Sequence, residues 1–139
     1  MKTRRAMLIC ASVIVRAVII FMILSLSSCP TPGGSASVVL GSATGFIWAG
    51  FGGNVTFAVT TTNIANGTTG TVSWYTDSSG KTRASAPVGV SATVTAISNN
   101  AATVTMTLTP SAAFGVYYFT VTFGSTASAV AKLDIPELL

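Results

Sequence analysis

Residues 90–109 read VSATVTAISNNAATVTMTLT. Val90, Ala92, Val94 and Ala96 alternate with Ser91, Thr93 and Thr95; beyond Asn99-Asn100, Ala102, Val104, Met106 and Leu108 alternate with Thr103, Thr105, Thr107 and Thr109. A period of two puts each set on one face of an extended strand. Asn tolerates the positive φ that a tight turn requires, so the stretch predicts a hairpin turning at Asn99-Asn100. Its Thr faces are expected toward solvent, because Thr is β-branched, polar and neutral and favours extended backbone without charge.

The same alternation extends in both directions. Strands are predicted over 36–41, 54–61, 71–76, 114–123 and 126–135, with a short one near 46–49, and no segment after residue 30 shows helical periodicity. Seven or eight short strands in about 100 residues predict an all-β chain folded as one antiparallel β-sandwich of about seven strands.

Three segments then resemble immunoglobulin-like domains. Phe114-Gly115-Val116-Tyr117-Tyr118-Phe119-Thr120-Val121 resembles the Gly-x-Tyr-x-Cys signature of strand F, Val72-Ser73-Trp74-Tyr75 resembles strand C with its core Trp, and Gly53-Asn54-Val55-Thr56-Phe57-Ala58-Val59 resembles strand B. The resemblance implies that Tyr117 forms a tyrosine corner, that Trp74 is a core residue, and that Phe57 and Phe119 stand where the two cysteines would be. Lacking that Cys pair, the chain is closer to disulfide-free bacterial immunoglobulin-like modules; fibronectin type III and PKD-type sandwiches would show much the same alternation. The resemblance implies a fold, and a fold does not imply a function.

The formal charge of +4 over 139 residues is unevenly placed. Lys2, Arg4, Arg5 and Arg16 precede residue 29, and beyond it Lys81, Arg83 and Lys132 balance Asp77, Asp134 and Glu137. The remainder therefore carries no basic patch to release counterions from a phosphate backbone, which argues against a nucleic-acid partner.

Residues 1–28 follow the order of an export signal: a basic start, an apolar run over 7–26 and then small residues. Leu26-Ser27-Ser28-Cys29 resembles the lipobox of bacterial lipoprotein precursors. By that resemblance Cys29 receives a diacylglyceryl group, the signal peptidase cuts just before it, and the mature protein is lipid-anchored at the bacterial cell envelope. Each buried CH2 of the acyl chains contributes about 0.8 kcal/mol to anchoring. The competing reading is an uncleaved helical anchor with an external domain, but Arg16 in mid-span would cost about 2.5 to 3.5 kcal/mol there. Thr3-Arg4-Arg5 has the twin arginine of a Tat signal, although so apolar a run suits the Sec route better. Cys10 follows Ile9, which is not small, and is expected to leave with the leader. With Cys29 acylated, no pair remains for a disulfide. Residues 29–35 form a Pro/Gly/Ser tether, residues 36–136 the sandwich and 137–139 a short tail. The six residues after Cys29 span at most about 20 Å, which holds the domain close to its membrane.

The inventory argues against an enzyme. There is no His, no mature thiol beyond Cys29, and beyond the leader Asp77, Asp134 and Glu137 are the only carboxylates, so neither a catalytic triad nor a His-dependent metal site can be assembled and no cofactor is expected. Asp134 and Glu137 flank Pro136 and read as solvated residues near the C-terminus rather than an acid/base pair. Asp77-Ser78-Ser79-Gly80 offers too few oxygens for calcium and reads as a turn. Asn54-Val55-Thr56 and Asn66-Gly67-Thr68 match glycosylation sequons, which a bacterial lipoprotein would normally leave bare.

Two aromatic groups remain as candidate ligand contacts. Residues 45–53, GFIWAGFGG, set Phe46, Trp48 and Phe51 among four glycines. The plainer and favoured reading turns Phe46 and Trp48 inward on a short edge strand to close the core; the other presents the rings to a sugar or a partner's pocket. Tyr75 and Tyr118, out of phase with Trp74 and Tyr117, are expected side by side on the outer face of one sheet. The whole reads as a membrane-anchored envelope lipoprotein whose domain is a non-catalytic binding or structural module, contacting the membrane through its lipid and a protein or carbohydrate at the envelope; the alternative from another class is a carbohydrate-binding or adhesive surface protein that uses these aromatics. The Thr- and Ser-rich neutral surface also predicts weak self-association through an edge strand.

Overall fold

A computed structural model describes residues 34–137. The signal, Cys29 and the first tether residues lie outside the described residues. Gly34–Leu139 forms one compact unit. Its strands are β1 (Ser37–Trp48), β2 (Gly52–Thr62), β3 (Gly70–Tyr75), β4 (Arg83–Ala84), β5 (Val90–Val94), β6 (Ala101–Leu108), β7 (Gly115–Phe123), β8 (Thr126–Ala127) and β9 (Ala131–Ile135). They form two antiparallel sheets. One runs β1-β2-β6-β5; the other runs β4-β3-β7, with β8 and β9 both paired to the far edge of β7.

The alternation seen in the sequence becomes the core. Val55, Phe57 and Val59 of β2, Val104, Met106 and Leu108 of β6, Phe119, Val121 and Phe123 of β7, and Leu133 and Ile135 of β9 all point between the sheets and are buried. Each such side chain contributes about 1.5 to 3 kcal/mol on burial, which is how the domain coheres without a disulfide.

The hairpin over 90–109 turns at Asn99 and Asn100, whose φ angles of 50° and 61° give two consecutive left-handed residues, the signature of a type I′ turn. Ser98 and Ala101 exchange both backbone bonds around it, at 2.9 and 3.0 Å. The alternation is not continuous, however. Val94 opposes Val104 while Ser98 opposes Ala101, four steps on one arm against three on the other, so the rising arm holds one extra residue. That residue turns Ala96 to solvent and Ile97 into the core, correcting the expectation that Ala96 shares the face of Val94. The displaced backbone is satisfied from the β2–β3 connection: the Ile97 N–H donates to the Thr68 carbonyl (3.0 Å) and the Gly67 N–H to the Ile97 carbonyl (2.8 Å).

A second extra residue reshapes β1. The two strands predicted over 36–41 and 46–49 are one strand, paired with β2 along its length. Leu40 opposes Val59 and Ala43 opposes Phe57, three steps against two, so a bulge lies at Gly41-Ser42. A third divides the strand predicted over 126–135: Thr122 opposes Ala127 and Phe119 opposes Ala131, three steps against four. There the Ser128 side chain takes over the ladder. Its N–H donates to the Val121 carbonyl (2.8 Å) and its hydroxyl accepts from the Val121 N–H (3.1 Å). β4, two residues long, had no signal of its own in the sequence.

Candidate functional site

The bulge at Gly41-Ser42 decides the orientation of the aromatic segment. Because side chains alternate with a period of two, one added residue exchanges the faces of everything beyond it. Before the bulge the even-numbered Val38 and Leu40 face the core; after it the odd-numbered Ala43, Gly45 and Ile47 take that side, Ala43 and Gly45 staying exposed at the seam. Ile47 is buried, while Phe46 is 82% exposed and Trp48 40%. The favoured inward reading of Phe46 and Trp48 is therefore overturned. The segment is also the end of a hairpin rather than a loop: the Phe51 N–H donates to the Trp48 carbonyl (3.3 Å) across a four-residue turn with Gly50 at its third position, φ 81°. Positive φ there is the type II pattern, and it sends Phe51 out, 69% exposed. Gly52 then packs so closely on β6 that a Cβ would lie 2.5 Å from the Leu108 carbonyl oxygen. A hydrogen bond from the Ala49 N–H to the Pro136 carbonyl (3.1 Å) ties the turn to the end of β9 in the other sheet.

Tyr75 and Tyr118 are directly opposed in the β3–β7 register, both half-buried on the outer face. The row continues to Arg83 on one side and Lys132 on the other. The Arg83 guanidinium carbon stands 6.0 Å from the Tyr75 ring centroid, at the limit of a cation–π contact, and Arg83 also donates to the Ser73 hydroxyl (3.2 Å). Lys132 pairs with Asp134 at 3.2 Å. The chain's own cations thus flank this platform at both ends, and its rings are far less open than those of Phe46 and Phe51.

Inside, the Phe57 and Phe119 rings meet edge to face across the sheets, centroids 5.2 Å apart, and Trp74 leans on Phe119 at 5.6 Å. The Tyr117 hydroxyl donates to the Ala113 carbonyl (3.2 Å), four residues upstream and at the mouth of β7. Strand order, central aromatic trio and tyrosine corner agree. The domain is an immunoglobulin-like sandwich.

In the lettering of that fold β1, β2, β6 and β5 are A, B, E and D, β4, β3 and β7 are C′, C and F, and β8 with β9 is a broken G. No family model matches the chain, and no relative is found among the curated proteins. Among solved structures the chain is similar to an immunoglobulin domain in a mutant complex of titin with obscurin-like 1, at 13% identity and a TM-score of 0.36, over 71% of this chain and 95% of that one. So low a score adds nothing to the strand order, on which the assignment stands.

Two features of this sandwich bear on what it can bind. Along the seam between strands A and G, the small residues 41–45 of β1 leave Phe57 as the floor of two open grooves of about 390 and 380 Å³. At the β3–β4 connection, the Ser79 hydroxyl and backbone N–H hold the Asp77 carboxylate below its ordinary range, the N–H at 2.7 Å. That is the capped turn the sequence predicted. Among the described residues no three His, Cys, Asp or Glu side chains come together to hold a metal, and no helix is long and apolar enough to cross a membrane. Sequence reasoning missed Val88, 79% exposed at the corner of the turn closed by the Val90 N–H on the Pro87 carbonyl (3.1 Å). The Pro-Val-Gly triplet carried the signal for that turn.

Proposed function

We propose that the chain is a bacterial envelope lipoprotein, anchored through Cys29, whose immunoglobulin-like domain is a non-catalytic binding module that meets its partner through the β1–β2 hairpin end. The observation that carries the binding surface is the exposure of Phe46 and Phe51 in a domain that buries Phe57, Phe119 and Phe123 almost completely. Large apolar side chains kept in water on an ordered turn mark a contact surface. The anchor rests on Leu26-Ser27-Ser28-Cys29, and the absence of catalysis on a chain without His. Asp77 stands on the β3–β4 connection and Asp134 on β9, where Asp134 lines one of the seam grooves and Asp77 lines neither.

Intact mass and metabolic fatty-acid labelling of the full chain, beside Cys29→Ala, test the anchor. The expected result is a labelled protein beginning at Cys29, with label and cleavage both lost in the variant. A wild-type chain that keeps residues 1–28 and takes no lipid would leave a helix-anchored sandwich instead. For the surface, acrylamide is expected to quench part of the tryptophan emission, and Trp48→Phe to remove that part, since Trp74 is buried.

A further inference from the structure

The two ends of the sandwich differ in chemistry. The chain enters at Ser37, opposite Thr62, and that end is made of the β2–β3 connection, the Asn99-Asn100 turn and the Gly124-Ser125 turn. Its exposed side chains include Asn63, Asn66, Asn99, Asn100 and Ser125. At the other end lie Trp48 and Gly52, Leu108 facing Val90, and Gly115 facing Ile135. Of the large apolar side chains left in water among the described residues, Phe46, Trp48, Phe51, Val88, Phe114 and Val116 are on or beside this second end, and Val39 alone is near the first.

These side chains come from separate connections that are bonded together. The Thr109 N–H donates to the Gly89 carbonyl (2.8 Å), joining the connection that carries Val88 to the one that leads to Phe114. Gly52 abuts Leu108, and Ala49 is bonded to Pro136, so the turn bearing Phe51 belongs to the same surface. Phe51, Val88 and Phe114 project from turns and line neither seam groove.

We infer that this end is a bilayer-docking tip, with Phe51, Val88 and Phe114 entering the acyl boundary of a zwitterionic lipid surface. The inference deepens the reading of this end as the contact surface and does not depend on lipidation of Cys29. Three observations select the partner. Of the six side chains only Trp48 carries a hydrogen-bonding group, and the hydroxyls beside them are already engaged, Thr109 with Ser111 (2.7 Å) and with the Gly89 carbonyl (3.3 Å), so the projecting side chains have little with which to recognise a sugar or a phosphate. Lys81, Arg83 and Lys132 balance Asp77, Asp134 and Glu137, so no net charge draws it to an anionic surface. Separate convex projections need a matching set of pockets on a protein, whereas fluid hydrocarbon accepts them without one.

The test uses Gly34–Leu139, the compact unit that contains the whole described core, with phosphatidylcholine vesicles. Co-sedimentation is expected, insensitive to salt, with brominated phosphatidylcholine quenching Trp48. Phe51→Ser and Phe114→Ser should each lower partition by about tenfold, while Val39→Ser at the other end leaves it unchanged. All three positions are exposed, and an unchanged circular dichroism spectrum confirms that each variant folds. No partition at millimolar lipid overturns the proposal, as does partition that the Phe substitutions spare or that salt abolishes. None of those outcomes touches acrylamide quenching of Trp48 or the fatty-acid label on Cys29, so failure of the tip is visible apart from failure of the exposed surface and of the anchor.

Discussion

Sheet β1-β2-β6-β5 contains no charged residue, whereas the other sheet carries Arg83, Lys132 and Asp134 in its strands and Asp77, Lys81 and Glu137 beside them. Across the first sheet runs an outer row Thr44, Thr56, Thr105, Thr93, each opposite the next; across the second runs Arg83, Tyr75, Tyr118, Lys132. Thr and Tyr both favour extended backbone, and the first row has nothing but Thr, so threonine alone serves for an outer face. What threonine does not supply is protection at the edge. β1 exposes a twelve-residue strand free of charge and proline, while β4 has two residues with an Arg and β9 carries Lys132 and Asp134. The exposed Lys132–Asp134 pair adds little to stability. The difference between the sheets therefore concerns association rather than folding.

If the sheets share the core equally, Phe57→Ala from the neutral sheet and Phe119→Ala from the charged one should each cost about 3 to 5 kcal/mol in urea unfolding. A variant that unfolds at much lower cost than the other would show that one sheet carries the core. Smaller effects distinguish the local devices of each sheet. Asn100→Val forces a β-branched residue to a φ of 61° and should cost about 1 to 2 kcal/mol, against about 1 kcal/mol for Tyr117→Phe, which removes the bond to Ala113. A smaller cost for Asn100→Val than for Tyr117→Phe would mean the type I′ turn matters less than the tyrosine corner.

The edges offer a finer comparison. Sedimentation of Gly34–Leu139 at high concentration should reveal weak association that Val39→Lys on β1 abolishes and Lys132→Ala on β9 does not; a wholly monomeric wild type would refute the contrast. The smallest effect is the pH response of Asp77. Its carboxyl is held below the ordinary range when folded, so its contribution is present above the unfolded pKa and is lost as pH falls through the folded one. Asp77→Asn should flatten the stability profile slightly below about pH 4, and identical profiles would mean that the Ser79 bonds do not persist in solution.

Most of the fold was legible because it depends on local pattern. The Asn99-Asn100 turn, the inward Val104-Met106-Leu108 set and the Phe57, Trp74, Phe119 trio follow from alternation, turn chemistry and the resemblance to strands B, C and F. The aromatic segment was legible only as a pair of alternatives. Its residues announce exposed or buried rings equally well, since Phe46, Ile47 and Trp48 are all apolar and either phase fills a core. Val88 went unread because a lone apolar residue between Pro and Gly has no periodicity to betray it.

By itself, then, the chain determined an all-β domain, most of its strand-forming segments, the neutrality of its larger part and the motif at Cys29, all properties of composition and nearest neighbours. Tertiary structure alone decided which way the chain faces after each bulge. The extra residues at Gly41-Ser42, around Ala96 and at Ser128 become visible only when one strand is laid against another, because a bulge is a mismatch between two partners and has no meaning in one strand alone. The first of them turns Ile47 into the core and leaves Phe46 and Trp48 in water.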